Sequence, residues 1–132
     1  MKKIFFIFLL SFSFNLIWEN LHFYLYAGYM GGTITEAILL RASVVDAIII
    51  TFLSFPFVFI AKLRNKNWII IFIGIVVAIL IELHALRTER WVYNEYMPII
   101  PILFVGLTPT IQLGLLGYLS YWLVVGIKKA KI

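Results

Sequence analysis

The chain has 132 residues, 64% of them hydrophobic and 17% aromatic, with 13% charged and a formal net charge of +5. A soluble domain of this size could not keep that much apolar surface from water, so the class is integral membrane. The absence of cysteine excludes disulfides, thiolate metal sites and a cysteine nucleophile, and the basic residues flank apolar runs instead of forming a patch, which argues against a nucleic-acid partner.

A transmembrane helix needs about 20 mainly apolar residues to cross a core of roughly 30 Å, and the chain has room for four. The first span is expected over Ile4 to Tyr26. Lys2 and Lys3 ahead of Ile4 to Phe14 resemble the start of a secretory signal, but Asn15-Leu16-Ile17-Trp18-Glu19 follows with no small-residue cleavage site. The segment therefore reads as a retained helix. After a connection containing Gly28, Gly31 and Gly32, span two is expected over Ile38 to Ala61. The tight basic turn Lys62 to Asn67 leads to span three, Trp68 to Ala85. A connection rich in Arg, Glu and aromatic residues, Leu86 to Pro98, precedes span four, Ile99 to Ile127. Pro56, Pro101 and Pro109 each remove a backbone donor and predict bends in spans two and four. The expected fold class is thus all-α, a four-transmembrane-helix bundle forming a single integral membrane domain over residues 1–132.

Orientation follows from charge. Lys2 and Lys3, then Lys62, Arg64 and Lys66, then Lys128, Lys129 and Lys131 all fall on one side of a four-span protein. By the positive-inside rule that side is the cytoplasm, and both termini lie there. Aromatic residues agree: Tyr24, Tyr26, Tyr29, Trp91, Tyr93 and Tyr96 mark the outer interface, and Trp68, Tyr121 and Trp122 the inner one.

The informative residues are the charged ones away from the cytoplasmic flanks. At a rise of 1.5 Å per residue, Glu19 lies about 22 Å and Glu82 about 21 Å above the cytoplasmic end of their spans. On the same rise Asp46 is about 12 Å and Thr108 about 14 Å below the outer end. Each helix thus places a polar group in one layer of the outer half. An intramembrane carboxylate costs several kcal/mol unless paired, neutralised or wetted, so it faces the bundle interior or a cavity. Arg41 is the expected partner of Asp46 or Glu19, and Arg87 or Arg90 that of Glu82. Buried ion pairs tying the helices together would explain the layer. So would a polar cavity open to the outside, with Glu19, Asp46 and Glu82 as proton-transfer groups.

On span one, Ser11, Asn15, Glu19 and His22 follow i, i+4, i+8, i+11 spacing and share one helical face. Glu19-Asn20-Leu21-His22 has the Glu-x-x-His spacing of di-iron bundles. Those sites need a second such motif, and Glu82-Leu83-His84 has the wrong spacing, so no metal or other cofactor is assigned. His22 and His84 serve as well as interfacial groups or as acid–base partners of a carboxylate. Arg87, Arg90, Trp91 and Tyr93 can clamp an anionic head group while their aromatic faces contact its tail. Gln112, farther in, offers an uncharged amide to a ligand or to a neighbouring helix.

Trp18-Glu19, Arg41-Ala42-Ser43 with Asp46, and Arg90-Trp91-x-Tyr93 with Met97-Pro98, Pro101, Gly106, Pro109 and Gln112 resemble a family of small four-helix bacterial membrane proteins. That resemblance covers nearly the whole chain and implies a multi-pass protein of the bacterial cytoplasmic (inner) membrane, without implying an activity. Glu82 ahead of Trp91 and Tyr93 is also similar to the acid and Trp-x-Tyr pair of polytopic carotenoid and prenyl-lipid enzymes, the small lycopene cyclases and carotenoid hydratases. The paired-glutamate motif of the cyclases is absent from this chain.

The expected function is binding of a membrane lipid or other amphiphilic molecule in an outward-facing polar cavity, with acid–base chemistry of an isomerase, hydratase or cyclase kind. The ligand contacts would be Asn15, His22, Arg41, His84, Arg87, Arg90, Trp91, Tyr93 and Gln112. A homo-oligomeric transporter or channel protomer using the intramembrane acids is the alternative, and a structural subunit of a membrane complex a further one.

Overall fold

The computed structural model describes residues 1–126 of the chain. The molecule is mostly helical, and three of its helices are long and apolar enough to cross a membrane. Helix α1 spans Lys2–His22 and continues as a 3-10 turn, Phe23–Leu25. Strand β1, Tyr26–Tyr29, follows. Helix α2, Glu36–Phe59, starts at Thr35, whose hydroxyl accepts from the Ile38 amide at 3.3 Å, and Glu36 stands in the first turn. Both features favour a start there, because the first amides of a helix lack carbonyl partners and present positive partial charge.

At the far end of α2 the Arg64 guanidinium donates twice to the Val58 carbonyl, at 3.0 and 3.1 Å, capping a helix end whose carbonyls are otherwise free. A 3-10 turn, Ala61–Lys66, leads into helix α3, Ile69–Arg87. Helix α3 closes with a Schellman arrangement: the Glu89 amide donates to the Leu86 carbonyl and the Arg90 amide to the Ala85 carbonyl. Glu89 takes the left-handed conformation this needs, φ 57°, a conformation usually left to glycine. The motif turns the chain sharply, so that Arg90 and strand β2, Trp91–Tyr93, fold back over the end of the bundle.

Strand β2 pairs antiparallel with β1, and the register carries a bulge between Tyr26 and Gly28. Simple alternation would send Tyr26 and Tyr29 to opposite faces. The bulge puts both rings against the same partner, with Trp91 6.2 Å from Tyr26 and 6.4 Å from Tyr29 between ring centroids.

The helix expected from Ile99 begins instead at Leu107. Ile99–Ile100 (β3) and Val105–Gly106 (β4) form a short antiparallel pair, and helix α4 is Leu107–Tyr121, extended by a π-helical turn over Trp122–Gly126. Proline disfavours helical backbone in the residue before it, so Pro101 keeps Ile100 extended in β3 and Pro98 keeps Met97, in a bend, out of a helix. Ile102 and Phe104 then take positive φ to reverse the chain. Pro101 accordingly bends no helix, and Pro109 sits in the first turn of α4, where a missing amide costs nothing. The carboxy-terminal lysines Lys128, Lys129 and Lys131, and the end of span four at Ile127, lie outside the described residues.

Helix α1 packs chiefly on α2 and α3 chiefly on α4, while α4 also touches α1 and α2. Buried Ile7, Ile50, Phe57, Ile70, Leu116 and Tyr121 form the core below the cavity, toward the end that carries Lys2, Lys3, Lys62, Arg64 and Lys66. The Tyr121 hydroxyl donates to the Phe57 carbonyl there at 2.9 Å. The α3–α4 seam is glycine to glycine: a Cβ on Gly74 would overlap the Gly114 backbone, and one on Gly114 the Ile71 carbonyl. Small residues are what let membrane helices approach so closely. By contrast α2 and α3 meet only lightly, and the space between them at the strand-bearing end is open.

Candidate functional site

That space is a cavity of about 570 Å³, within the range of small-molecule sites. It is enclosed by α2, α3 and α4, by the last turn of α1, and by the β1–β2 ribbon as a roof. Of the residues singled out from the sequence, Glu19, Arg41, Asp46, Glu82, His84, Arg90, Trp91 and Gln112 line it.

The floor is built on Gln112. Its Nε2 lies 2.8 Å from Asn15 Oδ1, 2.9 Å from Glu19 Oε1 and 3.1 Å from Asp46 Oδ2. One amide group thus joins α1, α2 and α4. Helical spacing explains the α1 contribution: Ser11, Asn15 and His22 are buried on one stripe with Glu19 between them, half-buried at the cavity edge. The two carboxyl groups also act on each other, and none of the groups acting on Asp46 is a cation. An amide has two hydrogens, fewer than the three oxygens around it, so this cluster has more acceptors than Gln112 has donors. Helix α4 therefore enters the polar layer through Gln112. Thr108, the residue expected there, is turned to Met97 Sδ at 3.4 Å.

Glu82 stands on the α3 wall, 3% exposed, and is held by tyrosines. Tyr93 Oη donates to its Oε1 at 2.7 Å and Tyr26 Oη at 3.3 Å. Tyr93 in turn accepts the Gly106 amide at 2.9 Å, so the carboxylate, the β1–β2 roof and the start of α4 are wired in series. Burial, reinforced by the Glu82 charge, pushes the Tyr93 phenol above the usual phenol range, which keeps it a donor at neutral pH. Trp91 Nε1 faces the same carboxylate but is buried without closing a hydrogen bond.

Among the described residues the arginines do not pair with the acids. Arg41 Nη2 donates to Tyr29 Oη at 2.5 Å and Arg90 Nε donates to the same oxygen at 3.3 Å. The expected ion pairs, Arg41 with Asp46 or Glu19 and Arg87 or Arg90 with Glu82, do not form, and Arg41 and Arg90 instead share one phenol. The cause is local. The bulge swings Tyr29 over the mouth, and Arg41 is an exposed residue in the second turn of α2, well above Asp46. The Arg90 hydrogen bond, with the Arg90 and Arg41 charges, holds the Tyr29 phenol below its usual range.

Four further residues stand differently from expectation. Asn15, expected as a ligand contact, is fully buried behind Gln112 and does not line the cavity. His22 is buried but not on the cavity: Nδ1 bonds the Trp18 carbonyl at 2.9 Å, Nε2 has no partner, and the ring packs edge-on to Tyr26. Arg87 is exposed and does not line the cavity. Tyr93 acts through Glu82 and is not itself in the lining. Sequence reasoning placed Tyr26 and Tyr29 at the interface as markers only, and it missed that they roof the site. The available signal was that two aromatic-rich connections, one with Tyr26 and Tyr29 and one with Trp91 and Tyr93, fall at the same end of the bundle. Among the described residues no group of three His, Asp or Glu side chains is placed to hold a metal ion.

No protein-family model, curated protein or solved structure matches the chain.

Proposed function

We propose that this chain crosses the bacterial cytoplasmic membrane four times with both termini inside. In this reading it takes an amphiphilic molecule into the α2–α3 cavity, where Glu19 and Asp46 move protons to and from it. The observation that carries the reading is the floor: two carboxyl groups from different helices meet on one buried amide, with no cation, at the bottom of an otherwise largely apolar chamber. Neither carboxyl group has a cation beside it, and a pair of neighbouring carboxyls that can hold a proton between them can give it to a ligand and take it back. A site built only to tie helices together would be filled and charge-balanced, and this one encloses room for a ligand. Glu82, fixed by Tyr26 and Tyr93, is the second acid–base group on the wall, set against Trp91.

The apolar walls favour a hydrocarbon chain. Chemistry at carbon such as isomerisation or hydration then fits the groups available, because it needs only proton delivery and removal. The substrate need not be identified before the test. The purified protein is incubated with a bacterial lipid extract in D₂O, and carbon-bound deuterium is sought by mass spectrometry. Wild type is expected to label one lipid class, and Glu19→Gln or Asp46→Asn to reduce labelling by about 10²-fold or more. Labelling that persists at the wild-type rate in both variants, or its absence from wild type, would overturn the reading.

A further inference from the structure

Building on the reading of the cavity as an amphiphile site, we infer that its ligand is an anionic lipid: Arg41, Arg90 and Tyr29 bind the phosphate of its head group, and its chain enters sideways between α2 and α3.

The mouth carries the first half of the inference. Two guanidiniums converge on a single phenol oxygen. Arg41 also lies 5.7 Å above the Tyr29 ring, and Tyr29 stacks on Trp91 at 23° between planes. The phenol can take only part of what ten guanidinium N–H groups offer. A phosphate oxygen has the charge and the lone pairs to take the remainder, and planar guanidiniums suit it geometrically. The ribbon holds this geometry in place, since the Met30 amide donates to the Arg90 carbonyl at 2.7 Å.

The side wall carries the second half. Val45 is 48% exposed and Leu80 62% exposed, yet both line the cavity. Arg41 and Val45 are one turn apart on α2, and Leu80 and His84 one turn apart on α3. These two rows border a slot where the helices barely touch. Apolar residues that face both the chamber and the outside of a membrane helix pair connect the chamber to lipid. A chain entering there runs toward Asp46 and Gln112 while its head group stays at the arginines.

The test uses Trp91 as reporter, with Trp18, Trp68 and Trp122 replaced by Phe and the protein placed in phosphatidylcholine nanodiscs. A minor fraction of dibrominated-chain lipid is added, either phosphatidic acid or phosphatidylcholine. Phosphatidic acid is expected to quench Trp91 with a preference of about tenfold. Arg41→Gln with Arg90→Gln should erase the preference. Ala42→Phe, which fills the chamber and leaves both arginines, should erase the quenching. Inorganic phosphate should not displace the lipid. A preference that survives either variant set, or displacement by phosphate alone, overturns the inference. Equal quenching by both lipids that Ala42→Phe removes would overturn only the anionic assignment. No quenching above that of the surrounding lipid would overturn the amphiphile reading with it.

Discussion

Gln112→Leu is expected to destabilise the protein by about 2 kcal/mol or more, because each buried acceptor left without its donor costs on the order of 1–3 kcal/mol. Single interhelical hydrogen bonds in membranes average nearer 0.6 kcal/mol, but this side chain shares its two hydrogens among three acceptors from two other helices. Asn15 is fully buried and would lose its α4 partner, and Glu19 and Asp46 would be left facing each other. Gln112→Glu should be worse, since it replaces the donor with a third carboxyl in the same space. Reversible unfolding in mixed detergent micelles measures both. Wild-type stability in Gln112→Leu would show that the floor is not a structural junction.

The second large effect is expected at Gly114. Here the added methyl meets backbone, and backbone cannot rotate away as a side chain can. Overpacking a tight core costs about 1–3 kcal/mol, occasionally more, and Gly114→Ala should reach the upper end because α3 must separate from α4 along their whole seam. The same displacement would move Glu82 away from Gln112, so deuterium labelling should fall together with stability. Gly32→Ala is the matched control: its Cβ would meet only the Tyr29 carbonyl, at 3.8 Å, and its φ is not in the left-handed region. That variant should behave as wild type. Equal tolerance at the two positions would contradict the close-packed seam.

Much of the architecture was legible in the sequence, for a physical reason. A long apolar run declares a helix without reference to its neighbours, and α1, α2 and α3 end within a few residues of the expected boundaries. The polar stripe Ser11, Asn15, Glu19 and His22 was also readable, because 3.6-residue periodicity is a local property. What was not readable depended on pairing. The β1–β2 bulge that brings Tyr29 over the mouth is fixed by register between segments more than sixty positions apart, such as Tyr29 and Trp91. No local pattern announces it. For the same reason charge complementarity alone suggested that Arg41 and Arg90 would neutralise acids, whereas the fold gives both of them to one phenol.

Span four shows the opposite failure. Ile99 to Gly106 is apolar enough to be helix by composition, yet Pro98, Pro101 and the positive-φ residues Ile102 and Phe104 make it a short strand pair. The consequence for function is direct. Starting α4 at Leu107 is what leaves the Gly106 amide free to bond Tyr93, and it sets Gln112 at the depth of Glu19 and Asp46.

The most direct test of the central claim, that the α2–α3 chamber holds an amphiphile, is native mass spectrometry of the protein released from membranes in mild detergent. The account predicts one tightly held lipid-sized adduct on wild type, absent from Ala42→Phe, whose side chain would occupy the chamber. A wild-type protein that flies bare, or an adduct that Ala42→Phe retains unchanged, would contradict it.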